Sequence, residues 1–475
     1  MVPKVLNFES FERQWREAGE LLTEPTLSVA WRRYQEVHQD DYETVPENTE
    51  PSLQQLEEAF EPLLDQPWLA ASIKSRKYLT LPASTIPWAA TGIHVHDDQA
   101  ITVLVTGRTW RSRLLDLYLP PQFNLWYKIG TNGSVFNSTH ATRTFKCISG
   151  EAGELYIGNQ FPGMFQERCG GRVSSDLSVY DKADGQFELL IIQWQQGVMI
   201  EDIAKAFDRV LASCSKDDYY GLIEIGSRRM HSDYFLHFFP SGWKLLWFLG
   251  VSEIFSQEQS SEPSDTQTDL AATASHPAIT HDEFDAEAQV LRSPHESAVT
   301  KSLTHPMIRC RPNHNVGILQ KDIQPPLPFR SSTVATWSWN VTALPSRLRE
   351  DTSISHDYLS LAFEFENGRD ITYTWSWELP VGYGYECPLA AWKAREYHVV
   401  IQSGTKELGT WLEETRNVFE DYVRYVNAED RARSVPKQII RAWLIAGNRW
   451  QRHEGEMLIK QIQLHEGEGS SLAIL

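Results

Sequence analysis

The sequence has few cysteines, and their spacing gives them no shared role. Its 475 residues contain five, without a Cys-x-x-Cys pair: Cys147, Cys169, Cys214, Cys310 and Cys387. Because they are scattered and odd in number, they fit a reducing compartment and predict no structural zinc site. The Gly-x-Gly-x-x-Gly, Gly-x-x-x-x-Gly-Lys-Ser/Thr and Gly-x-Ser-x-Gly motifs are also missing. Nucleotide-fold and hydrolase-elbow chemistry are therefore not expected.

Long apolar runs and an excess of positive charge are missing as well. No stretch approaches the roughly 18 consecutive apolar residues of a membrane span, and the N-terminal MVPKVLNFESFERQW has no apolar signal core. The net charge of −19 argues against a nucleic-acid partner or an anionic membrane surface. We therefore expect a cytoplasmic protein without nucleic-acid or membrane partners. The oligomeric state stays open.

A chain of 475 residues is too long for one ordinary core, so we expect two or three domains, and the sequence pattern changes along its length. Residues 1–76 are polar and carry apolar side chains at helical spacing, for example Phe11 and Trp15. Residues 77–196 contain short alternating runs separated by Gly, Asn and Pro. Such runs predict the strands of a β-sandwich or jelly roll.

The second half of the chain follows a connector and a linker. Residues 197–255 predict a helical and apolar connector, and residues 256–304, rich in Ser, Thr, Glu, Asp and Gln, a disordered acidic linker. Residues 305–468 return to strands, with a helix near 411–426 and strands near 438–446 and 456–464. The predicted fold is mainly β: two β-sandwich or jelly-roll domains, an N-terminal helical segment and the disordered linker.

Aromatic residues alternate with small ones in the C-terminal block. The runs ATWSWNV and ITYTWSWEL flank YLSLAFEFENGRD, in which Asn367-Gly368 is a strong hairpin signal. A two-residue loop there would place Ala362 opposite Tyr373. One face would then carry Leu and Phe, and the other would carry Tyr and Trp rings beside small residues and Glu364. A three-residue loop would shift the register by one residue and mix the two sets.

The face with the rings has two interpretations. It is either a platform for a ligand or a second buried layer under a helix or another sheet. On the first interpretation the ligand-binding residues are the rings of this block and one cation: Tyr358, Tyr373, Trp375, Trp377, Trp339 and Arg416. Arg416 is expected on a helix, four residues before Glu420.

Ionisable residues are also concentrated in this block, Glu396 and His398 among them. Acid/base catalysis on a polar substrate needs two such groups a few ångströms apart beside a ring that can stack on the substrate. The catalytic candidates are those on or near the aromatic face: His356, Asp357, Glu364 and Glu378. The alternative for each is a surface charge or a structural ion pair.

Two groups of residues have some features of metal sites. His94 and His96 could face one cation from a strand end, but no third ligand has a matching spacing. His305 and His314 flank Cys310 at a spacing that fits no zinc finger or ribbon. We therefore expect a polar strand-to-turn junction at His94 and His96. We expect no metal or other cofactor in the chain.

The C-terminal block resembles the bacterial family DUF3047, whose function is unknown. The resemblance spans about 305–468 and lies in the segments NVGILQKDI, TWSWNVTALP, HDYLSLAFEFENG, YTWSWELPVG, REYHVVIQSG, RNVFEDY and RAWLIAGNRW. It implies a β-sandwich similar to concanavalin-like domains. It implies no particular reaction.

Residues from about 78 to 195 resemble the galactose-binding lectins related to the PA-I lectin. The resemblance lies in PWAATGIHVHDDQAITVLVTGRTW, LWYKIGTNGSVF and GELYIGNQFPG. In such lectins a calcium ion, held by a loop after an Asn-x-x-Pro-Gly segment, bridges the sugar hydroxyls. Here Gln160 replaces an aspartate, Met164 lies near the threonine position, and Glu167 and Arg168 lie near two asparagine positions. Since calcium needs those oxygen ligands, we expect the fold without the calcium-dependent sugar site.

Three functions are consistent with these features. The first is binding of a carbohydrate or another polyhydroxylated small ligand, through the lectin-like domain and the aromatic face of the C-terminal sandwich. The second is a glycan-active or small-molecule-tailoring enzyme with acid/base residues in that sandwich. The third is a non-catalytic scaffold whose helices and linker recruit partners. We rank binding first, the enzyme second and the scaffold third.

Overall fold

The structure is a computed structural model, and it describes most of the N-terminal and C-terminal blocks. The described residues are 6–19, 24–39, 52–86, 88–133, 135–136, 144–146, 152–159, 178–181, 183–199, five positions between 202 and 209, 243–248, 255–259, 306–312, 316–389, 392–426, 435–467 and 471–475. The expectations for His305, His314, the loop at 160–168 and the linker beyond residue 259 lie outside them. Within these ranges no helix combines the length and apolar character needed to cross a bilayer.

The chain begins with helices, as predicted. They are α1 (Phe8–Glu17), α2 (Glu24–Val37), α3 (Leu53–Leu64) and α4 (Pro67–Ala70). Local signals fix two of their starts: the Asn7 side chain accepts hydrogen bonds from the amides of Glu9 and Ser10 at α1, and a capping box opens α3. The apolar residues of α1 and α2 form one buried cluster with residues of both later domains: Phe11, Trp15, Val29, Ala30, Leu115, Leu117, Leu348 and Ile354.

The first β-domain is a sandwich of two antiparallel sheets. Its strands are β1 (Ile73–Pro82), β2 (Ala89–Val95), β3 (Ala100–Ser112), β4 (Leu117–Leu119), β5 (Leu125–Ile129), β6 (Val135–Phe136), β7 (Thr144–Lys146), β8 (Gly153–Asn159) and β9 (Asp184–Trp194). One sheet has the order β1-β9-β3-β4 with β7 beside β3, and the other has the order β2-β8-β5-β6. Alternating side chains from both sheets, such as Val103, Leu189 and Ile157, fill the core.

The second β-domain is also a sandwich, so the mainly β class is confirmed. Its strands are β10 (Lys244–Phe248), β11 (Phe255–Gln259), β12 (Pro306–Cys310), β13 (Val316–Pro328), β14 (Val334–Ala343), β15 (Tyr358–Phe365), β16 (Asp370–Ser376), β17 (Gly384–Glu386), β18 (Glu396–Ser403), β19 (Leu412–Asn417), β20 (Gln438–Gly447), β21 (Glu456–His465) and β22 (Ser471–Ala473). The seven-stranded sheet has the order β10-β13-β20-β15-β16-β18-β17, and the six-stranded sheet has the order β11-β12-β21-β14-β19 with β22 beside β21.

Three stretches differ from their predicted structure. The strands β10 and β11 lie in the predicted connector and at the start of the predicted linker, and both pair with the second sandwich. A short apolar run does not distinguish a strand from a buried helix, and an edge strand such as β11 can be polar. The helix predicted near 411–426 is wrong at 412–417, where β19 pairs with β14. Only Val418–Asp421 and a π-helical turn at Tyr422–Val426 are helical there, because sheet pairing overrides the local propensity.

The β15–β16 hairpin has another register than the predicted one. Leu361 lies opposite Tyr373, since three residues rather than two connect the strands. The amide of Phe365 donates to the carbonyl of Arg369, and Gly368 closes the loop in the left-handed region with φ of 76°. A three-residue loop that ends on a left-handed glycine is a common hairpin alternative. The Tyr and Trp rings of β16 therefore share a face with the Leu and Phe side chains of β15.

Candidate functional site

The predicted aromatic platform is part of the sandwich core. Tyr373, Trp375 and Trp339 are at most 1% exposed and pack between the two sheets, and Trp377 packs partly buried against the same core. Their polar atoms have internal partners: the Tyr373 hydroxyl donates to Asp421 at 2.9 Å, and Trp375 Nε1 donates to the carbonyl of Gly404 at 2.9 Å. Of the two interpretations of these rings, the ligand platform is wrong, because the three-residue loop turns them toward the core between the two sheets.

Arg416 belongs to the same internal network. It lies on β19 rather than on a helix, and its guanidinium binds the Asp421 carboxylate at 2.9 and 2.6 Å. The same carboxylate accepts the hydroxyl of Tyr373. Because Arg416 and Asp421 neutralise each other under the core, Arg416 stabilises the fold and does not present a free cation to a ligand.

Three of the four catalytic candidates hold structural positions. Asp357 is buried and accepts the backbone amides of Trp450 and Gln451, at distances down to 2.6 Å. Glu378 pairs with Arg32 of α2 at 2.5 Å. Glu364 pairs with Arg441 at 3.1 Å.

The fourth candidate, His356, is separated from Glu364. The strand β15 begins at Tyr358, so these two groups lie at opposite ends of a strand segment that spans roughly 20 Å. Two acid/base groups that flank one bond lie about 5 to 10 Å apart. The structure therefore does not bring His356 and Glu364 together, and turnover stays a prediction.

The two histidines of the N-terminal domain that have some features of a metal site lie apart from other possible ligands. His94 and His96 are exposed at the end of β2, and no third ligand joins them among the described residues. Cys310 is buried in β12.

A second face of the seven-stranded sheet points away from the six-stranded sheet, and we call it the outer face. Its residues lie on neighbouring strands in direct register: Tyr358, Ser360, Ala362, Glu364, Thr374, Trp443, Ile445 and Ile318. The prediction that Ser360, Ala362 and Glu364 lie opposite the Leu/Phe side is confirmed. The ring beside them comes from β20, because Trp443 lies opposite Ala362.

The outer face contains buried polar atoms without partners. Ser360 Oγ, Thr374 Oγ1 and Trp443 Nε1 have no hydrogen-bond partner in the part of the chain that the structure describes, although their residues are 0%, 2% and 7% exposed. Ser360 lies directly opposite Thr374 on one side and Ile445 on the other, two positions along β20 from Trp443. Since a buried polar group without a partner costs about 1 to 3 kcal/mol, three in one patch need a physical explanation.

Four side chains with metal-ligating atoms meet at one end of this sheet. They are buried, and their ligand atoms lie within 4.8 Å of one another: His356, Cys387, Glu396 and His398. The alternation of β18 directs Glu396 and His398 to the same side, while Cys387 follows β17 and His356 precedes β15. Sequence reasoning noted Glu396 and His398 only as ionisable residues and missed Cys387, since no metal motif has this spacing.

Hydrogen bonds orient three of these four side chains, one of them Cys387, whose thiol lies 3.4 Å from His356 Nε2. His356 Nδ1 lies 2.7 Å from the carbonyl of Glu350 and therefore donates its proton there. The Tyr358 hydroxyl donates to Glu396 Oε1 at 2.7 Å. His398 Nε2 lies 3.4 Å from the same Glu396 oxygen, which is ion-pair range, but neither His398 ring nitrogen has the geometry of a hydrogen bond.

The environment sets the charges of this cluster. Burial lowers the pKa of His356 to about 3, so its imidazole is neutral at pH 7. Burial opposes ionisation of Glu396, but its contacts with His398, His356 and Tyr358 together outweigh burial and lower the pKa of Glu396 to about 2. Burial, together with the Glu396 charge, raises the pKa of Cys387 well above its ordinary value, which leaves a thiol. The cluster thus combines one carboxylate with a thiol and imidazole nitrogens.

The family comparison covers the second sandwich. Residues 291–463 match the family described as "Protein of unknown function (DUF3047)", which confirms the resemblance found in the C-terminal motifs. No curated protein matches the sequence.

Solved structures with similar parts are sugar-related proteins. One is the N-terminal domain of EclA, a PllA-like lectin, at 12% identity over 24% of this chain and 94% of that one, with a TM-score of 0.18. Another is the xyloglucanase domain of NopAA from Sinorhizobium fredii in complex with cellobiose. It is 8% identical over 36% of this chain and 83% of that one, with a TM-score of 0.22. A third is the family GH12 endoglucanase 3 of Trichoderma harzianum. It is 11% identical over 37% of this chain and 81% of that one, with a TM-score of 0.22. Similarities this low carry no argument about ligand or activity.

Proposed function

We propose that the outer face of the second sandwich binds a small polyhydroxylated ligand such as a carbohydrate unit. The observation that carries the proposal is the patch of three buried polar atoms without partners, Ser360 Oγ, Thr374 Oγ1 and Trp443 Nε1. A ligand with several hydroxyl groups supplies what each atom lacks. The indole N–H only donates, whereas the two side-chain hydroxyls donate and accept, and sugar hydroxyls complement both.

The apolar part of the same patch suits one face of a sugar ring. Trp443, Ala362, Ile445 and Tyr358 pack together on the outer face as a cluster separate from the main core. Rings and aliphatic side chains contact the C–H face of a pyranose, while hydroxyls at its edge form hydrogen bonds. All these residues lie on the central strands β15 and β20, so the sheet holds them rigidly.

Charged residues form the rim beside this patch. Arg441 binds Glu364 at 3.1 Å and Asp322 at 2.8 Å, and direct register places the three in one row across β15, β20 and β13. A cleft of about 610 Å³ opens at this row, and Asp322, Arg441 and Pro325 are among its lining residues. This volume lies within the range of small-molecule sites, and the Asp322 carboxylate in the lining is an acceptor for ligand hydroxyls.

Calorimetric titration of the full chain with a panel of mono- and oligosaccharides and non-sugar polyols tests the proposal. We expect at least one sugar to bind the wild type, and Trp443→Phe, which removes the indole N–H, to weaken its affinity at least tenfold. Trp375→Phe is the matched control, because that indole lies in the core. It should lower stability and leave the affinity within twofold. Absence of binding across the panel, or equal affinities of wild type and Trp443→Phe, would refute the proposal.

A further inference from the structure

We propose that His356, Cys387, Glu396 and His398 bind one divalent transition-metal ion of the zinc type. The proposal is independent of ligand binding on the outer face, and it revises the expectation that the chain holds no metal. Three separate segments deliver the four side chains, all of which are buried, and their ligand atoms lie within 4.8 Å of one another. Zinc binds cysteine, histidine and carboxylate side chains, and four protein ligands complete the tetrahedral coordination of a structural site.

The distances within the cluster suit tetrahedral coordination. Ligand atoms bound to zinc at 2.0 to 2.3 Å lie about 3.3 to 3.8 Å from one another. His356 Nε2 lies 3.4 Å from Cys387 Sγ, and His398 Nε2 lies 3.4 Å from Glu396 Oε1. Two of the distances between ligand atoms therefore already match those of a tetrahedral zinc site. Small side-chain shifts would bring the remaining ligand atoms, now within 4.8 Å of one another, to the same separation.

Neighbouring groups orient the ligands as they do in metal sites. His356 donates its Nδ1 proton to the carbonyl of Glu350, which leaves the Nε2 lone pair directed at the cluster. Tyr358 holds the Glu396 carboxylate through its hydroxyl. A histidine fixed by a backbone carbonyl and a carboxylate fixed by a hydroxyl are common outer-shell arrangements around metal ligands.

His398 supplies an independent observation. It is fully buried, and among the described residues neither of its ring nitrogens has a hydrogen-bond partner. A buried imidazole that serves only packing would normally satisfy at least one nitrogen. A metal ion at the centre of the four side chains would give one of these nitrogens its missing partner.

The chemistry of the ligands selects the ion. Calcium and magnesium require mainly oxygen ligands, whereas a thiolate with two imidazoles favours zinc, cobalt and similar ions. A dication with the Cys387 thiolate and the Glu396 carboxylate gives a neutral site, which suits burial. Binding releases the thiol proton to solvent as the metal–sulfur bond forms.

The expected role is structural, because four protein ligands leave no open position. The ion would join the edge strand β17 and its neighbour β18 to the segment before β15 that carries His356. That segment also contributes Leu348 and Ile354 to the cluster with α1 and α2. Loss of the metal should therefore loosen the sheet edge together with the contact to the N-terminal helices.

Cobalt titration of the full chain, stripped with a chelator, tests the site. We expect one equivalent of Co²⁺ to produce a thiolate-to-cobalt charge-transfer band that Zn²⁺ displaces. Cys387→Ser should abolish the band, and His398→Gln should weaken the binding of Co²⁺ at least tenfold. Cys310→Ser is the matched control, since it also removes a buried thiol and lies outside the cluster. It should leave the band unchanged.

Two results would overturn the proposal. One is the absence of a stoichiometric charge-transfer band in the wild type. The other is a band that Cys387→Ser leaves intact. If Cys387→Ser does not fold, Glu396→Gln and His398→Gln are decisive, since unchanged cobalt affinity in both rejects the ligand set. Sugar binding is measured separately, so its failure leaves this test unaffected.

Discussion

Single charged side chains connect distant parts of this protein. Glu36 on α2 lies 2.8 Å from Arg33 of the same helix and 2.9 Å from His453 of the second sandwich. Partial burial opposes ionisation of Glu36, but the contacts with His453 and Arg33 outweigh it and lower its pKa to about 2. The carboxylate therefore stabilises the folded chain at neutral pH.

The substitution Glu36→Gln tests this coupling through pH. A carboxyl whose folded pKa lies below its ordinary value of 4.5 stabilises the fold above that pH and loses the effect as the pH falls toward 2. After allowance for solvent screening, we expect the variant to be about 1 to 2 kcal/mol less stable at pH 7 and equal to wild type near pH 2. Urea denaturation across this range measures the difference. A stability difference between wild type and Glu36→Gln that does not change with pH would contradict the expected coupling. Substitution of an exposed carboxylate, Glu413→Gln, is the control.

At this scale the sequence predicts which residues are functional candidates better than it predicts which residues contact one another. The sequence predicts His356 and Asp357 as functional candidates, and both are buried in hydrogen-bonded positions. No sequence signal links Cys387 and His398 to His356, because strand pairing rather than chain spacing brings the three together. Such contacts depend on register, which a single sequence specifies weakly at loops.

The β15–β16 hairpin decides which side chains face the core. Alternation predicted both strands, but Asn367-Gly368 is compatible with a two-residue loop and with the three-residue loop observed here. In the observed loop only Gly368 has a positive φ, whereas Asn367 does not. A two-residue type I′ turn would require positive φ at both.

Asn367→Gly distinguishes these loops, and Gly368→Ala, which is strained in both, gives the cost of a side chain at the left-handed position. Asn367→Gly should cost about 1 to 2 kcal/mol, because it adds backbone freedom and removes the hydrogen bonds of Asn367 to Tyr422 and Arg369. Gly368→Ala should cost about 1 kcal/mol from left-handed strain alone, since a Cβ there meets nothing within 4 Å. Urea denaturation measures both. A neutral or stabilising Asn367→Gly would indicate the two-residue turn and return the rings to the outer face.

At the scale of the whole molecule, the two sandwiches share buried contacts. Arg452 pairs with Asp116 of the first sandwich, with side-chain exposures of 10% and 6%, and its guanidinium lies 4.5 Å from the centre of the Tyr118 ring. Trp450 packs in one cluster with Leu119 and Trp126. Residues more than 300 positions apart make these contacts, which no local pattern could predict.

The substitution Asp116→Asn tests whether this contact joins the two sandwiches. It removes the negative charge from the buried pair of Arg452 and Asp116 and should lower the free energy of unfolding by about 3 kcal/mol. Asparagine is a suitable replacement because it tolerates the positive φ of 51° at this position. Arg113→Ala is the control, since its pair with Asp184 is about half exposed and should contribute less than about 1 kcal/mol. Equal losses in the two variants would show that burial of the Arg452 pair has no effect on stability.

The central claim is that the outer face binds a hydroxyl-rich ligand, and a crystal structure with the tightest sugar of the panel tests it most directly. We predict ligand hydroxyls within hydrogen-bond distance of Ser360 Oγ, Thr374 Oγ1 and Trp443 Nε1, with the sugar ring against the Trp443 side of the sheet. Ordered water or another part of the chain on these three atoms, with the sugar bound elsewhere, would contradict the claim.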